Sequence, residues 1–361
     1  MICPLDWGIG HASRMIPLIH ICLRAGFKVI LASGGKAGEL LKTEFPALPF
    51  MELPSVPIRY SRKKSQGFIM MIQLPFILAG IFKEHRWLAK AVSKHSIDIV
   101  LSDNRYGLYH KKVLSVFMTH QISPLMPAGL KWAEPAVNFF LRRFIRCFDR
   151  CWIPDAENPS QNLTGRLSHR FLPPYNTAYM GILSRFTEIT PVTESEKNFL
   201  CDVLVILSGP EPQRTLLEEI LIGQLDKTDY QAVIIGGFHQ FSRQYSAIAT
   251  SRIRYHDHLP SALFRIAILR AEIIICRAGY STIMDLAELN KPAILIPTPG
   301  QPEQEYLAAY MKSKRWFHTA EQHGFDLEKE IRYFRKQKFN PLEIFRTDTE
   351  KYLQDLLKLY K

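Results

Sequence analysis

The chain has 361 residues, of which 47% are hydrophobic and 22% charged. That balance suits a globular protein with full cores, excludes a disordered chain, and at this length fits two domains of ordinary size. A formal net charge of +12 points to an acidic partner: nucleic acid, an anionic membrane surface or a phosphorylated substrate.

The six cysteines (Cys3, Cys22, Cys147, Cys151, Cys201 and Cys276) are scattered, with no CxxC and no metal-ligand spacing. They suit a reducing compartment without disulfides. Met1 leads directly into an apolar run and not into a secretory signal, so a cytoplasmic location is expected. Ile2–Leu5 reads as a buried strand, and Asp6-Trp7-Gly8-Ile9-Gly10-His11 as a glycine turn into a helix that runs to about Gly26. A second strand over Lys28–Ala32 completes an opening βαβ unit of a doubly wound sheet. Gly8 and Gly10 let a ligand approach the backbone, and His11 stands at the start of the helix. The turn is not a dinucleotide fingerprint: Ser13 occupies the place of the third glycine, and no acidic residue ends the second strand.

Between Pro54 and Val92, seven Lys/Arg (59, 62, 63, 64, 83, 86, 90) stand against one acid, Glu84. Among them lies an apolar stretch, Gly67–Phe82, broken by Gln73 and Pro75. It is short for a membrane span, which takes about 20 apolar residues. Two readings remain: a helix dipping into an anionic surface, or a core helix beside a solvated basic loop. Ile97–Leu101 and Val113–Met118 are two further strands, each ending in a polar cluster: Ser102-Asp103-Asn104-Arg105 and Thr119-His120-Gln121. Polar clusters at the carboxyl ends of neighbouring strands are how an open α/β sheet builds a site. Asp103 and His120 are therefore expected to share a site with His11. Asn104 and Arg105 either bind an anionic acceptor or tie loops together. A single carboxylate in this cluster is not a DxD metal motif, and no metal is expected. Trp132–Phe148 mixes aromatic residues with Arg142, Arg143 and Arg146, a face for packing on one side and anionic lipid or phosphate on the other.

Asp202–Leu207, followed by Ser208-Gly209-Pro210-Glu211-Pro212-Gln213-Arg214, is a second strand–glycine–helix opening, so the two halves share a plan. Gln231–Ile235 and Arg252–Tyr255 are strands, the latter leading into His256-Asp257-His258. Glu272–Cys276 is a short buried strand, Arg277-Ala278-Gly279 a sharp turn, and Ser281-Thr282 lie in the first turn of a helix stopped by Pro292. That helix start offers free N–H groups, two hydroxyls and the positive dipole end, with Arg277 beside them: a phosphate site. Asp285, one turn on, could accept from ribose hydroxyls, and Gln304 and Glu305 after the next strand could meet a sugar. Helices over about 326–336 and 349–360 follow.

Arg277, Gly279, Thr282, Asp285 and Gln304 resemble the nucleotide-sugar signature of GT-B glycosyltransferases of the MurG type, in which an S/C-R-x-G-x-x-T turn meets the donor diphosphate. Glu305 departs from that pattern, standing where the family usually has Gln. The resemblance implies a GT-B fold, two Rossmann-like doubly wound α/β domains facing a central cleft. It implies an N-terminal acceptor domain over 1–185, a C-terminal donor domain over 186–340, with 186–199 as linker, and a last helix over 341–361 packing back on the first domain. On the donor side it assigns Ser208, Gly209, Gln213 and Arg214 to phosphate and sugar, and Tyr255 and His256 to the flanks of uracil. Ser281 joins the diphosphate site. The two prolines after Gly209 depart from the family's glycine-rich loop. The Gly8–His11 turn resembles the family's G-x-G-H loop, which faces the acceptor and the reacting carbon. His11 becomes the general base, since imidazole titrates near neutrality, or else a cap or a phosphate ligand. Asp103 supports or replaces it, or caps a turn.

The function expected is inverting, metal-independent transfer of a sugar, N-acetylglucosamine first, from a UDP-sugar to a lipid-linked or anionic acceptor. No cofactor is implied, and the enzyme would sit in the cytoplasm or at the cytoplasmic membrane. The alternatives are a nucleotide-sugar epimerase or hydrolase of the same fold, or a basic nucleic-acid or membrane binder without catalysis. Incubation with donor alone separates the first, and salt-dependent RNA binding the second.

Overall fold

The structure, a computed structural model, describes residues 1–54, 66–126, 128–187, 201–237, 252–342 and 345–360. Arg59, Arg62, Lys63 and Lys64 of the basic segment and most of the expected linker lie outside the described residues. The chain divides into two compact units, Met1–Arg185 with Arg346–Lys361, and Phe186–Phe345.

The first unit is built from β1 (Ile2–Pro4), α1 (Ile9–Arg24), β2 (Leu31–Ser33), α2 (Gly35–Glu44), β3 (Phe50–Glu52) and α3 (Gln66–Lys94). It continues with β4 (Ile99–Asp103), β5 (Leu114–Met118), α4 (Glu134–Ile145), β6 (Arg150–Ile153), α5 (Arg166–His169) and β7 (Thr177–Tyr179). Its strands form one parallel sheet in the order β3-β2-β1-β4-β5-β6-β7. Parallel strands covered on both faces read as continuous apolar runs, and β1, β2 and β4 are buried at every residue. The second strand lies later than its hydrophobic run suggested, at Leu31–Ser33. The following glycine pair opens α2, which buries Ala37, Leu40 and Leu41 on one face.

The long apolar stretch belongs to α3, which passes through Pro75 and reaches Lys94. Its later half buries Glu84, Leu88 and Ala91, whereas Leu74, Phe76, Leu78 and Phe82 are exposed. The helix is thus core at one end and apolar surface at the other. Among the described residues no helix is long and apolar enough to cross a membrane. The last helix, α11 (Thr349–Tyr360), lies against α1. Asp355 holds it there by accepting both Arg150 Nη2 at 2.7 Å and the Trp152 indole N–H at 2.7 Å.

The second unit contains β8 (Val203–Ile206), α6 (Gln213–Leu225), β9 (Ala232–Ile235), β10 (Ile253–His256), α7 (Ser261–Arg270) and β11 (Ile273–Cys276). After these come α8 (Tyr280–Glu288), β12 (Ile294–Leu295), α9 (Pro302–Ser313), β13 (His318–Thr319) and α10 (Leu327–Lys336). Its sheet is again parallel, in the order β10-β9-β8-β11-β12-β13. Val203, Val205, Ile234, Ile275 and Ile294 form the centre of its core.

Candidate active site

In each sheet the chain winds outward in one direction, returns to the centre, and winds out in the other. The reversal lies between β1 and β4 in the first unit and between β8 and β11 in the second. Loops leaving the two strands at such a point diverge to opposite faces and leave a crevice at their carboxyl ends, where open α/β sheets bind ligands. The Gly8–His11 turn follows β1 and Asp103 ends β4. Ser208-Gly209 follows β8 and Arg277-Ala278-Gly279 follows β11. These residues, singled out from the sequence, flank the two points.

In the first unit Gly8 is the N-cap of α1, with extended backbone, and His11 lies in the first turn. A Cβ at Gly8 would meet nothing within 4 Å, so there is room beside the turn. His11 Nδ1 lies 3.0 Å from Asp103 Oδ2; the imidazole is 20% exposed and the carboxylate fully buried. Asp103 is held by a residue the sequence reading passed over, Arg14. Its Nε donates to Asp103 Oδ2 at 2.8 Å and its Nη2 to Oδ1. The same guanidinium reaches His11 Nδ1 at 2.9 Å and His120 Nδ1 at 3.1 Å. Arg14 falls three residues after His11, a spacing that puts both on one helix face and could have revealed it. Burial alone would push the Asp103 carboxyl up; Arg14 and His11 outweigh it and hold the pKa down to about 2. The carboxylate is therefore a fixed negative charge behind the imidazole.

His120 is buried beside Arg14, and Asn104 stands in the left-handed region at φ 55°. Arg105 corrects one alternative. Its guanidinium is buried, donates to Glu84 Oε1 at 2.7 Å and to the Pro4 carbonyl at 2.8 Å, and pairs with Asp6 at 3.1 Å. It ties β1, α3 and the β4 turn together and has no face for an acceptor. A charge that could meet a substrate was drawn inward because two carboxylates were waiting there.

In the second unit Gly209 has φ 97°, which favours glycine, and a Cβ there would lie 3.3 Å from Thr298 Oγ1. The Ser208-Gly209 turn thus sits against the loop after β12. The side chains of Arg214 and Tyr255 are engaged with one another. Arg214 is buried, bonded to Glu218 through Nη1 at 2.9 Å and Nη2 at 3.1 Å, and donates to the Gly236 carbonyl at 3.0 Å. Tyr255 donates its hydroxyl to Glu218 at 2.7 Å and accepts from Arg214 at 2.8 Å. Burial, with Glu218 next, raises the Tyr255 pKa. These three form an internal network, so the Arg214 side chain is not a donor-phosphate ligand. His256 ends β10, half-buried, and burial followed by Arg254 lowers its pKa.

Arg277 is fully buried. Its Nη1 donates to the Ile296 and Pro297 carbonyls at 3.3 Å each, and its Nη2 to the Gln213 carbonyl at 2.5 Å. Burial lowers its pKa to about 10. It fastens three loops together, and its Nε is buried with no hydrogen-bond partner among the described residues. Gly279 is the N-cap of α8, with no side-chain cap, and the first turn of the helix is Tyr280, Ser281 and Thr282. Ser281 and Thr282 are half-buried and Asp285 is buried. Gln304 and Glu305 turn back on their own loop, accepting from Thr298 N at 2.9 Å and Gly300 N at 2.7 Å. Among the described residues, no group of three or more His, Cys, Asp or Glu is arranged to hold a metal.

Two parallel doubly wound sheets, each with its polar residues at the reversal point, define a class that the comparisons fill in. A model of the glycosyltransferase family 28 C-terminal domain matches residues 204–356. The chain is 22% identical over 310 residues to the UDP-N-acetylglucosamine–N-acetylmuramyl-(pentapeptide) pyrophosphoryl-undecaprenol N-acetylglucosamine transferase of Histophilus somni, covering 80% of this chain and 76% of that protein. It is 24% identical to an uncharacterized glycosyltransferase of Methanopyrus kandleri, covering 78% and 80%. Among solved structures, the glycosyltransferase SnogD from Streptomyces nogalater superposes with a TM-score of 0.62 at 12% identity, covering 100% of this chain and 99% of that one. MurG of Acinetobacter baumannii superposes at 0.51 and 14% identity, covering 99% and 93%. The fold is GT-B, and the protein is a glycosyltransferase. It resembles transferases of the MurG type.

Proposed function

We propose that the protein moves a sugar, N-acetylglucosamine before others, from a UDP-sugar to a hydroxyl of a lipid-linked or otherwise anionic acceptor, with inversion and without a metal. The observation that carries this reading is the 3.0 Å contact between His11 and Asp103, residues 92 apart in sequence. Of the two contacts at His11 Nδ1, the one with Arg14 needs a bare Nδ1 and the one with Asp103 a protonated Nδ1; in the second tautomer Nδ1–H donates to Asp103 and Nε2 presents a lone pair. That nitrogen takes the acceptor's hydroxyl proton as its oxygen attacks the anomeric carbon. The bond from that carbon to the diphosphate breaks, and the electron pair leaves with the nucleotide. One displacement from the face opposite the leaving group inverts the centre.

Buried and ionised, Asp103 stabilises the imidazolium that forms. The second unit supplies the donor grip. First-turn N–H groups of α8, Thr282 and Arg277 Nε meet the diphosphate, whose growing charge they stabilise in place of a cation. Asp285 takes the ribose, and the loop of Ser208, Gly209 and Gln213 the sugar phosphate. The relative in Histophilus somni is named for a UDP-sugar donor and a pyrophosphoryl-lipid acceptor, which supports both choices. Leu74, Phe76 and Phe82 on α3, exposed beside Lys83 and Arg86, and Phe139 and Phe140 on α4, exposed beside Arg143, support a cytoplasmic protein resting on an anionic membrane surface.

The test is a calorimetric screen of UDP-, dTDP- and GDP-sugars, followed by transfer assays on acceptors with the best donor. His11→Ala should cut turnover by roughly two to four orders of magnitude while donor affinity stays near wild type, and EDTA should leave the rate unchanged. Loss of donor binding in His11→Ala would reassign the residue to phosphate. Free sugar released from donor alone at the transfer rate would replace transfer by hydrolysis.

A further inference from the structure

Four loops join along the carboxyl edge of the second sheet. Arg277, after β11, bonds the Gln213 carbonyl at the start of α6 and two carbonyls after β12. Gln213 Oε1 in turn accepts from Gln322 Nε2 at 3.0 Å, and Gln322 lies in the loop after β13. Gly209, after β8, stands against Thr298. Within this junction Thr298 and Gln322 are buried, at 2% and 8% exposure. Thr298 Oγ1 and Gln322 Oε1 have no hydrogen-bond partner among the described residues, and neither does Arg277 Nε. Buried polar atoms are nearly always paired, because leaving one unmade is costly. Several in one junction point to a ligand that completes them.

The chemistry of the unpaired atoms sorts that ligand. Arg277 Nε carries positive charge and only donates, which suits a phosphate oxygen. An amide oxygen repels phosphate and accepts from hydroxyls; the Thr298 hydroxyl can do the same. The amide of Gln322 has its nitrogen turned to Gln213, so its oxygen is the end left over.

We propose that Thr298 and Gln322 read the sugar of the donor, their free oxygens accepting hydrogen bonds from its ring hydroxyls. Neither belongs to the donor signature found in the sequence. The assignment rests on the second unit being the nucleotide-sugar site, and it makes these two residues determinants of sugar affinity, separate from nucleotide affinity.

Calorimetry on the full chain tests it, with UDP and UDP-N-acetylglucosamine as probes and dTDP and dTDP-glucose in parallel. Thr298→Val and Gln322→Leu should each weaken the nucleotide-sugar about tenfold, the scale of one hydrogen bond to a buried group. The nucleoside diphosphate should bind them as it binds wild type. Thr298→Val exchanges an unpaired hydroxyl for a methyl group of the same shape, so its melting temperature should not fall. It therefore decides the matter even if Gln322→Leu, which also loses the bond to Gln213, folds poorly. Equal loss for nucleotide and nucleotide-sugar, or no loss for either, overturns the assignment while leaving the donor site standing. Failure of wild type to bind any of the four probes overturns the donor site and the assignment together.

Discussion

Replacing Asp103 by Asn separates stability from catalysis when set beside His11→Ala. The carboxylate is fully buried and accepts from Arg14 Nε and Nη2 and faces His11 Nδ1. Its pKa lies at about 2 against a reference of 3.8, so its partners favour the ionised form by on the order of 2 kcal/mol. Asn keeps the shape but offers one acceptor where two were used, and turns N–H groups toward a guanidinium that is 2% exposed. A buried charge deprived of its counter-ion costs about 3–5 kcal/mol. At about 2–4 °C per kcal/mol for a unit of this size, calorimetry should show melting lowered by roughly 6–20 °C. His11→Ala leaves the Arg14–Asp103 pair intact, so its melting should stay within about 3 °C of wild type, a change below about 1 kcal/mol. Its turnover, measured by nucleotide release with the best donor and acceptor, should still fall by roughly two to four orders of magnitude. The reasoning is refuted if Asp103→Asn melts with wild type, or if His11→Ala retains a tenth of the rate.

Because Asp103 is depressed when folded, it stabilises the protein above the unfolded value of 3.8, and that stability is lost as pH falls toward about 2. Acid unfolding followed by circular dichroism should therefore be less steep in Asp103→Asn across that window. Gly107→Ala should destabilise by about 3 kcal/mol in urea, since a Cβ would lie 2.7 Å from Glu84 Cβ and closer still to the Ile81 carbonyl. An unchanged midpoint would mean that α3 is not pressed on this turn. Phe76→Ser with Phe82→Ser should reduce sedimentation with vesicles of phosphatidylglycerol several-fold and leave melting unaltered, both side chains being more than half exposed. Equal sedimentation would remove α3 from the membrane face.

Sequence alone determined the local plan. Apolar runs closed by glycine turns, such as Ile273–Cys276 before Arg277-Ala278-Gly279, specify buried strands leading into helices, because period, propensity and turn chemistry act within a few residues. The donor signature was legible for the same reason, being contained in two consecutive βα units. What only the tertiary structure decided was the fate of each charge. Arg105, Arg214 and Arg277 read as candidate anion ligands and Arg14 drew no notice, yet all four are buried on partners within the protein. Arg14 meets Asp103 across 89 residues and Arg277 the Gln213 carbonyl across 64. A guanidinium has the same affinity for a carboxylate, a carbonyl or a phosphate wherever it stands in the chain, and only folding determines which of them comes within 3 Å.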